Sequence, residues 1–228
     1  MQSDQFTKIP DRDQLAARVA ELRQELRNCD PADLASRTGA NLTPLGDHES
    51  ALDLLYWGQE VILTYPELVG YDANKQPLSS IDQAMLAYYF TISDGTALSG
   101  NWISFSELPN GHFYSQAFQG YSGNELGKIF GNNVAAFEKA AKVLNGQTPW
   151  LSASYGDKSF VFQVLPRVSL QAVAWLGDED FPPSYRILFD AAISHHLSTD
   201  ACAILGSMLT RRLIKAQESQ KESLRGAS

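Results

Sequence analysis

Cysteine is scarce. The 228 residues hold two, Cys29 and Cys202, far apart in sequence. Two thiols cannot build a disulfide scaffold, a cysteine-based zinc site or an iron–sulfur centre within one chain, and their scarcity fits a reducing cytosol. Long apolar runs are missing too. No stretch approaches the roughly 20 apolar residues that a membrane helix needs, so no membrane insertion is expected. Met1 to Asp11 is polar and poor in basic residues, which fits neither a secretory signal nor a transit peptide. Positive charge is in deficit: 18 Lys and Arg face 26 Asp and Glu, for a net charge of −8. Such a surface repels phosphate backbones, so no nucleic-acid partner is expected. Together these shortages set the expectation of a cytoplasmic protein.

Familiar catalytic signatures are also missing. The run Gly120 to Lys128 invites comparison with a phosphate loop. It has Ser122 where the first glycine is needed, and Ile129 where a Ser or Thr would hold magnesium. There is no His-Glu-x-x-His zinc motif and no Gly-x-Ser-x-Gly nucleophile elbow. No metal-ligand set is readable, and the sequence names no cofactor.

What is present is enough to build a core: hydrophobic residues make up 44% and charged residues 19%. Leu15, Val19, Leu22 and Leu26 form one apolar stripe, which predicts a helix over 13–28. Asp30 and Pro31 open a second short helix that stops near Gly39. Alternation predicts strands at 51–58 and 60–65, followed by a loop over 71–77. Ser80 and Gln83 match a capping box at the head of a helix ending near Asp94-Gly95. Residues 102–108 read as a short strand or extended loop, and 112–124 as a polar, aromatic stretch. The longest clean helix is expected over 125–145. Strands at 160–165 and 169–175 are joined through Pro166-Arg167, too short a connection for anything but an antiparallel pair. After an acidic loop, helices are expected over 185–196 and from Thr199 to about Gln217.

These elements predict an α+β fold, with an antiparallel sheet of short strands packed with helices in a single domain that has an N-terminal helical extension. The expected divisions are an arm and helices over 1–49, the α+β domain over 50–217 and a flexible tail over 218–228.

Three stretches carry a family resemblance: Trp102 to Pro109, Leu126 to Gly131, and Trp175 to Pro183 followed by Ile187-Leu188-Phe189-Asp190. Together they resemble the bacterial and archaeal domain-of-unknown-function family numbered 3786, over roughly residues 50–215. That family has no established activity. Some members resemble accessory proteins of corrinoid or iron–sulfur metabolism and carry an added cysteine-rich segment. This chain departs from them there, and what the resemblance implies about tetrapyrrole chemistry is an association alone.

Candidate site residues lie in two segments. Asp178, Glu179 and Asp180 sit in a loop, where function concentrates, and could hold a hard cation or a basic partner. The competing reading is that they cap the helix expected to follow, or simply face solvent. His112 follows a Pro-Asn-Gly turn and could form an acid–base pair with Glu107 if the turn folds them together; its alternative is turn capping. Trp102, Tyr114 and Trp175 could line an aromatic pocket, or simply fill the core. His195 and His196 lie near an expected helix end, about 100° apart, and are read as surface or capping residues. Cys202 falls among apolar neighbours and is read as a buried, inert thiol.

The ligand-binding candidates are therefore Trp102, Glu107, His112, Tyr114, Trp175, Asp178 and Asp180. The expected function is a non-catalytic module that binds a tetrapyrrole-type ligand or a protein partner. One alternative is an enzyme whose site is built around Glu107, His112 and the 178–180 loop. The other is an assembly protein that uses its N-terminal helix.

Overall fold

A computed structural model describes residues 12–149 and 155–225. The expected arm over the first residues lies outside them, except for Arg12. The described chain forms helices and two antiparallel four-stranded sheets, the α+β class its sequence predicts. It gathers into two compact units: Met1–Ala97, Val164–Val168 and Ala192–Ala201 form the first, and Leu98–Gln163, Ser169–Ala191 and Cys202–Ser228 the second.

The first unit opens with α1 (Arg12–Leu26) and α2 (Pro31–Thr38). Asp30 caps α2 by accepting the Ala32 N–H at 2.9 Å, and Gly39 stops it at φ +72°, as the sequence predicts. Four strands follow as a meander: β1 (Asn41–Pro44), β2 (Ser50–Tyr56), β3 (Gln59–Tyr65) and β4 (Gly70–Asp72). The turn between β2 and β3 is Trp57-Gly58, both at positive φ, a two-residue geometry that matches strand twist. Leu52, Leu54, Val61 and Leu63 face inward, while Leu55 and Ile62 face out. The sequence suggested neither β1 nor β4. Both are too short for their alternation to register.

Helix α3 (Ser80–Ile92) begins one residue earlier in its cap than expected. Ser79, not Ser80, is the N-cap, and it accepts the Asp82 N–H. Gln83 serves elsewhere: it takes the Gly70 N–H at 2.9 Å and returns its amide to the Gly70 carbonyl at 2.8 Å. The α1 stripe packs on α3, with Leu15 and Val19 against Ala84, Ile81 and Tyr88. At roughly 1.5–3 kcal/mol for each fully buried leucine or valine side chain, that seam holds α1 in place.

The second unit contains β5 (Trp102–Ser104), single 3-10 turns at Phe105–Glu107 and Gly111–Phe113, α4 (Ser115–Tyr121), α5 (Gly123–Phe130) and α6 (Val134–Val143). β6 (Lys158–Leu165), β7 (Val168–Trp175), β8 (Ser184–Asp190) and α7 (Thr199–Arg225) complete the elements. The tip of the β6–β7 hairpin and the first residues of α7 group with the first unit. The sheet order is β5-β8-β7-β6. Its core is aromatic. Phe105 stacks on Phe118 at 4.3 Å between ring centroids, and the Phe137 ring meets Tyr185 at 5.3 Å and Phe160 at 5.4 Å, both edge-on.

Three expectations are corrected in this unit. The single helix over 125–145 is two helices. Gly131, at φ +49° and ψ −128°, breaks it, and Asn133 caps the next by accepting the Ala136 N–H. The helix expected over 185–196 is the inner strand β8, followed by a 3-10 turn at Ala191–His195. Tyr185, Ile187 and Phe189 are buried with Arg186 exposed between them, the period of a strand. Lastly, α7 continues to Arg225, beyond the expected stop near Gln217.

Candidate functional site

The aromatic and acidic candidates all fall in the second unit, but β8 keeps its two tryptophans apart. Trp102 pairs with Asp190 at one end of β8, and Trp175 pairs with Ser184 at the other. Six residue steps along β8 separate those ends, about 20 Å at the usual rise. Trp102 and Trp175 therefore do not share one face of a small pocket. The Arg186 guanidinium lies over the Trp175 ring at 5.7 Å.

Glu107 is tied to its own turn. Its Oε2 accepts the Ser104 N–H and the Ser104 hydroxyl, each at 2.7 Å. These two bonds, the hydroxyl first, hold its carboxyl below the usual range. His112 is exposed, with its ring against Phe113 at 3.8 Å between centroids. Phe113 is 70% exposed and Tyr114 37%. The 3-10 turn does not join His112 to Glu107: Glu107 is bonded to Ser104, and the His112 carbonyl accepts the Ser115 hydroxyl at 3.1 Å.

Asp178 closes the acidic loop on itself. Its Oδ1 accepts the N–H groups of Asp180 at 2.9 Å and Phe181 at 2.8 Å, and its own N–H donates to the Phe181 carbonyl at 2.9 Å. The backbone bonds from Phe181 and then Asp180 hold its carboxyl below the usual range. Asp178, Glu179 and Asp180 are all exposed. Asp190, by contrast, is buried and gathers the Ser99 N–H, the Ser99 hydroxyl and the Gly100 N–H at 2.8–3.0 Å. That arrangement fixes the chain entering β5.

The first unit contains a polar group that sequence reasoning did not assemble. The end of α3 brings Ser93, Asp94 and Thr96 against His195 and His196, a hundred residues away. The Asp94 Oδ2 lies 2.7 Å from His195 Nδ1, with both side chains about half exposed. Asp94 also accepts the Thr96 N–H at 2.9 Å. The Thr96 hydroxyl and then His195 hold the Asp94 carboxyl well below the usual carboxylate range. An ionised Asp94 requires a hydrogen on His195 Nδ1, which donates to it.

His196 is fully buried. Its Nε2 lies 2.9 Å from the Thr96 carbonyl, so Nε2 carries the hydrogen. The Ser93 hydroxyl then donates to Nδ1 at 3.2 Å. Both ring nitrogens are satisfied by a neutral imidazole, and burial pushes its pKa down. His195 is exposed, one of the two roles expected of it, whereas buried His196 is neither a surface residue nor a cap on a regular α-helix, which corrects the expectation for it. Nothing in the sequence could have named their partners, because the pairing is made by the fold alone.

Among the described residues no group of three or more His, Cys, Asp or Glu side chains is placed to hold a metal ion. Cys202 is buried, as expected, and Cys29 is half-buried. No helix among the described residues is long and apolar enough to cross a membrane.

Residues 30–212 match the family described as Domain of unknown function (DUF3786). The chain belongs to this family. The DUF3786 match starts at the cap of α2 and ends inside α7, so it takes in both sheets, the 178–180 loop and the polar group around His195 and His196. No curated protein and no solved structure matches the chain.

Proposed function

We propose that this DUF3786 chain is a non-catalytic accessory module that works by binding, and that its partner is a protein. The observation that carries this reading is how its carboxylates are used. Glu107, one member of the expected acid–base pair, and Asp178, of the candidate acidic loop, each accept two hydrogen bonds from their own loops and are biased toward the ionised form. A general acid must hold its proton near the working pH, which these environments disfavour, and they also weaken each carboxylate as a base. The same loops leave aromatic side chains in solvent: Phe113 and Phe181 are each 70% exposed.

A protein partner is favoured over a tetrapyrrole, because the spacing of Trp102 and Trp175 along β8 gives no shared stacking face for one flat ligand. The assembly reading through the N-terminal helix loses its surface, since the α1 stripe is buried against α3. A cytoplasmic setting belongs to this proposal, with two cysteines outside any disulfide.

The test is complementation of a deletion strain. Glu107→Gln should lower thermal stability while still supporting growth under permissive conditions. The pair Phe113→Ala with Tyr114→Ala, or Phe181→Ala, should keep wild-type stability and lose function. A Glu107→Gln protein that is as stable as wild type yet inactive in the cell would overturn the proposal.

A second reading has its own observation. The Asp94–His195 pair has the geometry of an oriented general base, with a carboxylate on Nδ1 of a half-exposed ring whose neutral form would leave Nε2 free to accept a proton. On this reading Asp94→Asn and His195→Gln each reduce any base-catalysed turnover by about 10²–10⁴-fold. Rates equal to wild type in both variants dismiss it.

A further inference from the structure

The β7–β8 connection, residues 176–183, is fixed by hydrogen bonds of its own polar groups while its apolar side chains stand in water. The Asp178 side chain takes the N–H groups of Asp180 and Phe181, and the Asp178 N–H returns to the Phe181 carbonyl. The loop is also fastened at its base. Gly177 exchanges two hydrogen bonds with the Asn132 side chain, at 2.7 and 3.2 Å, and the Leu176 N–H donates to Asp157 Oδ2 at 2.7 Å. What this framework displays is Phe181, 70% exposed, and Leu176, 41% exposed. Tyr155, 44% exposed, precedes the Gly156-Asp157 segment that the loop is fastened to, and the Asp157 N–H bonds the Ala174 carbonyl next to Trp175.

A phenylalanine in water forgoes the roughly 1.5–3 kcal/mol that burial would return, and a loop of free choice would turn it inward. Here the backbone hydrogen bonds hold it out. An aromatic side chain on a pre-ordered loop loses little further entropy on association, which is the usual make-up of an interface anchor. Asp178, Glu179 and Asp180 stand beside the anchor on a chain of net charge −8. That charge selects the occupant. Anionic lipid surfaces and nucleic acids are repelled, and so is a second copy of the same acidic loop.

We infer that the 176–183 loop is a docking knob, and that its partner is a protein whose apolar pocket accepts Phe181 and whose rim is basic. The inference rests on the binding-module reading above and narrows it to one loop.

The test replaces Phe181 by p-benzoyl-phenylalanine in the full chain, irradiates the native host cells, and identifies the adduct. The captured protein is then purified and titrated against the wild-type chain and three variants. The expected result is an adduct to a different protein with a basic surface patch. Its affinity should fall at least tenfold with Phe181→Ala, and should also fall with Glu179→Lys plus Asp180→Lys. Phe181→Trp should retain binding, and thermal stability should be unchanged throughout. The wild-type affinity should weaken as salt is raised.

An adduct only to another copy of this chain, to lipid or to nucleic acid overturns the inference, as does the absence of any adduct. So does a captured protein that binds Phe181→Ala as well as wild type. If Phe181→Ala complements the deletion strain while the Phe113 and Tyr114 pair does not, the docking knob falls and the binding-module reading stands. If a stable Glu107→Gln protein is inactive, that reading itself falls.

Discussion

Tyr89 is buried in the first unit with its hydroxyl between two backbone groups. It donates to the Thr38 carbonyl at 2.5 Å and accepts the Arg167 N–H at 3.2 Å. Burial pushes its pKa up to about 12, against the smaller opposing effect of the Arg167 bond. The fold therefore favours the neutral phenol. Its contribution to stability is complete below the unfolded value of about 10 and is lost as the pH rises toward about 12. Tyr89→Phe removes the acceptor and leaves the Arg167 N–H without this partner, a loss of about 1–3 kcal/mol in urea unfolding at neutral pH. The variant should also lose less stability than wild type between pH 10 and 12, the window set by those two values. Parallel alkaline losses in the two proteins would show that another group titrates there. Nothing in the local sequence singles out Tyr89. Its polar role depends on Thr38 and Arg167, 51 and 78 residues away, and no local pattern carries that information.

At the scale of elements, the helices that were legible are those with a clear apolar stripe or clear caps. Asp30-Pro31 and Gly39 gave α2 its limits, and the leucine stripe gave α1 its extent. The 125–145 region shows how a strong stripe can hide a break. Leu126, Phe130 and Phe137 are all buried, so the apolar period continues across Gly131-Asn132-Asn133, three poor helix residues that do end one helix and start another. β8 failed for a related reason. Leu188, Phe189, Ala192 and Ile193 imitate helical spacing, although only the odd positions from Tyr185 follow the strand. Gly131 lies at a φ,ψ pair that side chains rarely tolerate, so Gly131→Ala should destabilise the chain by about 1–3 kcal/mol. Its far-ultraviolet helix signal should not decrease, because alanine favours a continuous helix. An unchanged melting temperature would mean that the break relaxes without strain.

The link between the end of α3 and the 191–197 segment is pH-dependent by construction. Burial depresses the His196 pKa. The charges of Arg167 and His195 add to that effect, whereas the Thr96 carbonyl and Asp94 oppose it. The neutral ring is the folded form, so its contribution is complete above the unfolded value of about 6.5 and is lost as the pH falls below it. Between about pH 7 and about pH 5, wild type should lose stability more steeply than His196→Gln. Equal slopes would assign the acid sensitivity to another group. Asp94 acts in the same direction at lower pH, because its folded pKa lies below the unfolded one and protonation removes its bonds to Thr96 and His195.

For the whole molecule, the chain enters and leaves each compact unit several times. The first unit is completed by 164–168 and 192–201, which return long after Ala97. Those returns close specific bonds: the Trp57 N–H to the Val164 carbonyl at 2.9 Å, the Arg167 N–H to the Tyr89 hydroxyl, and His196 to Ser93 and Thr96. Such interleaving is invisible to a search for linkers. Apart from Ala97–Leu98, in the 93–101 connection, the crossing points fall inside β6, β7, α7 and the 191–195 turn, where no linker composition marks them. The elements of the polar groups were therefore partly legible, while their grouping was not. It also follows that residues 1–97 are not an independent folding unit, despite holding a complete four-stranded sheet and three helices. Expressed alone, that fragment should lack the amide chemical-shift dispersion of the full chain. Ser93, Thr96 and the Tyr89 hydroxyl would face water where their partners were, and a small core that loses several satisfied buried groups has little stability in reserve. Adding residues 98–228 in trans should restore part of the dispersed spectrum, because the missing segments lie there. A well-dispersed spectrum from 1–97 alone would show that the returning segments decorate the unit and do not complete it.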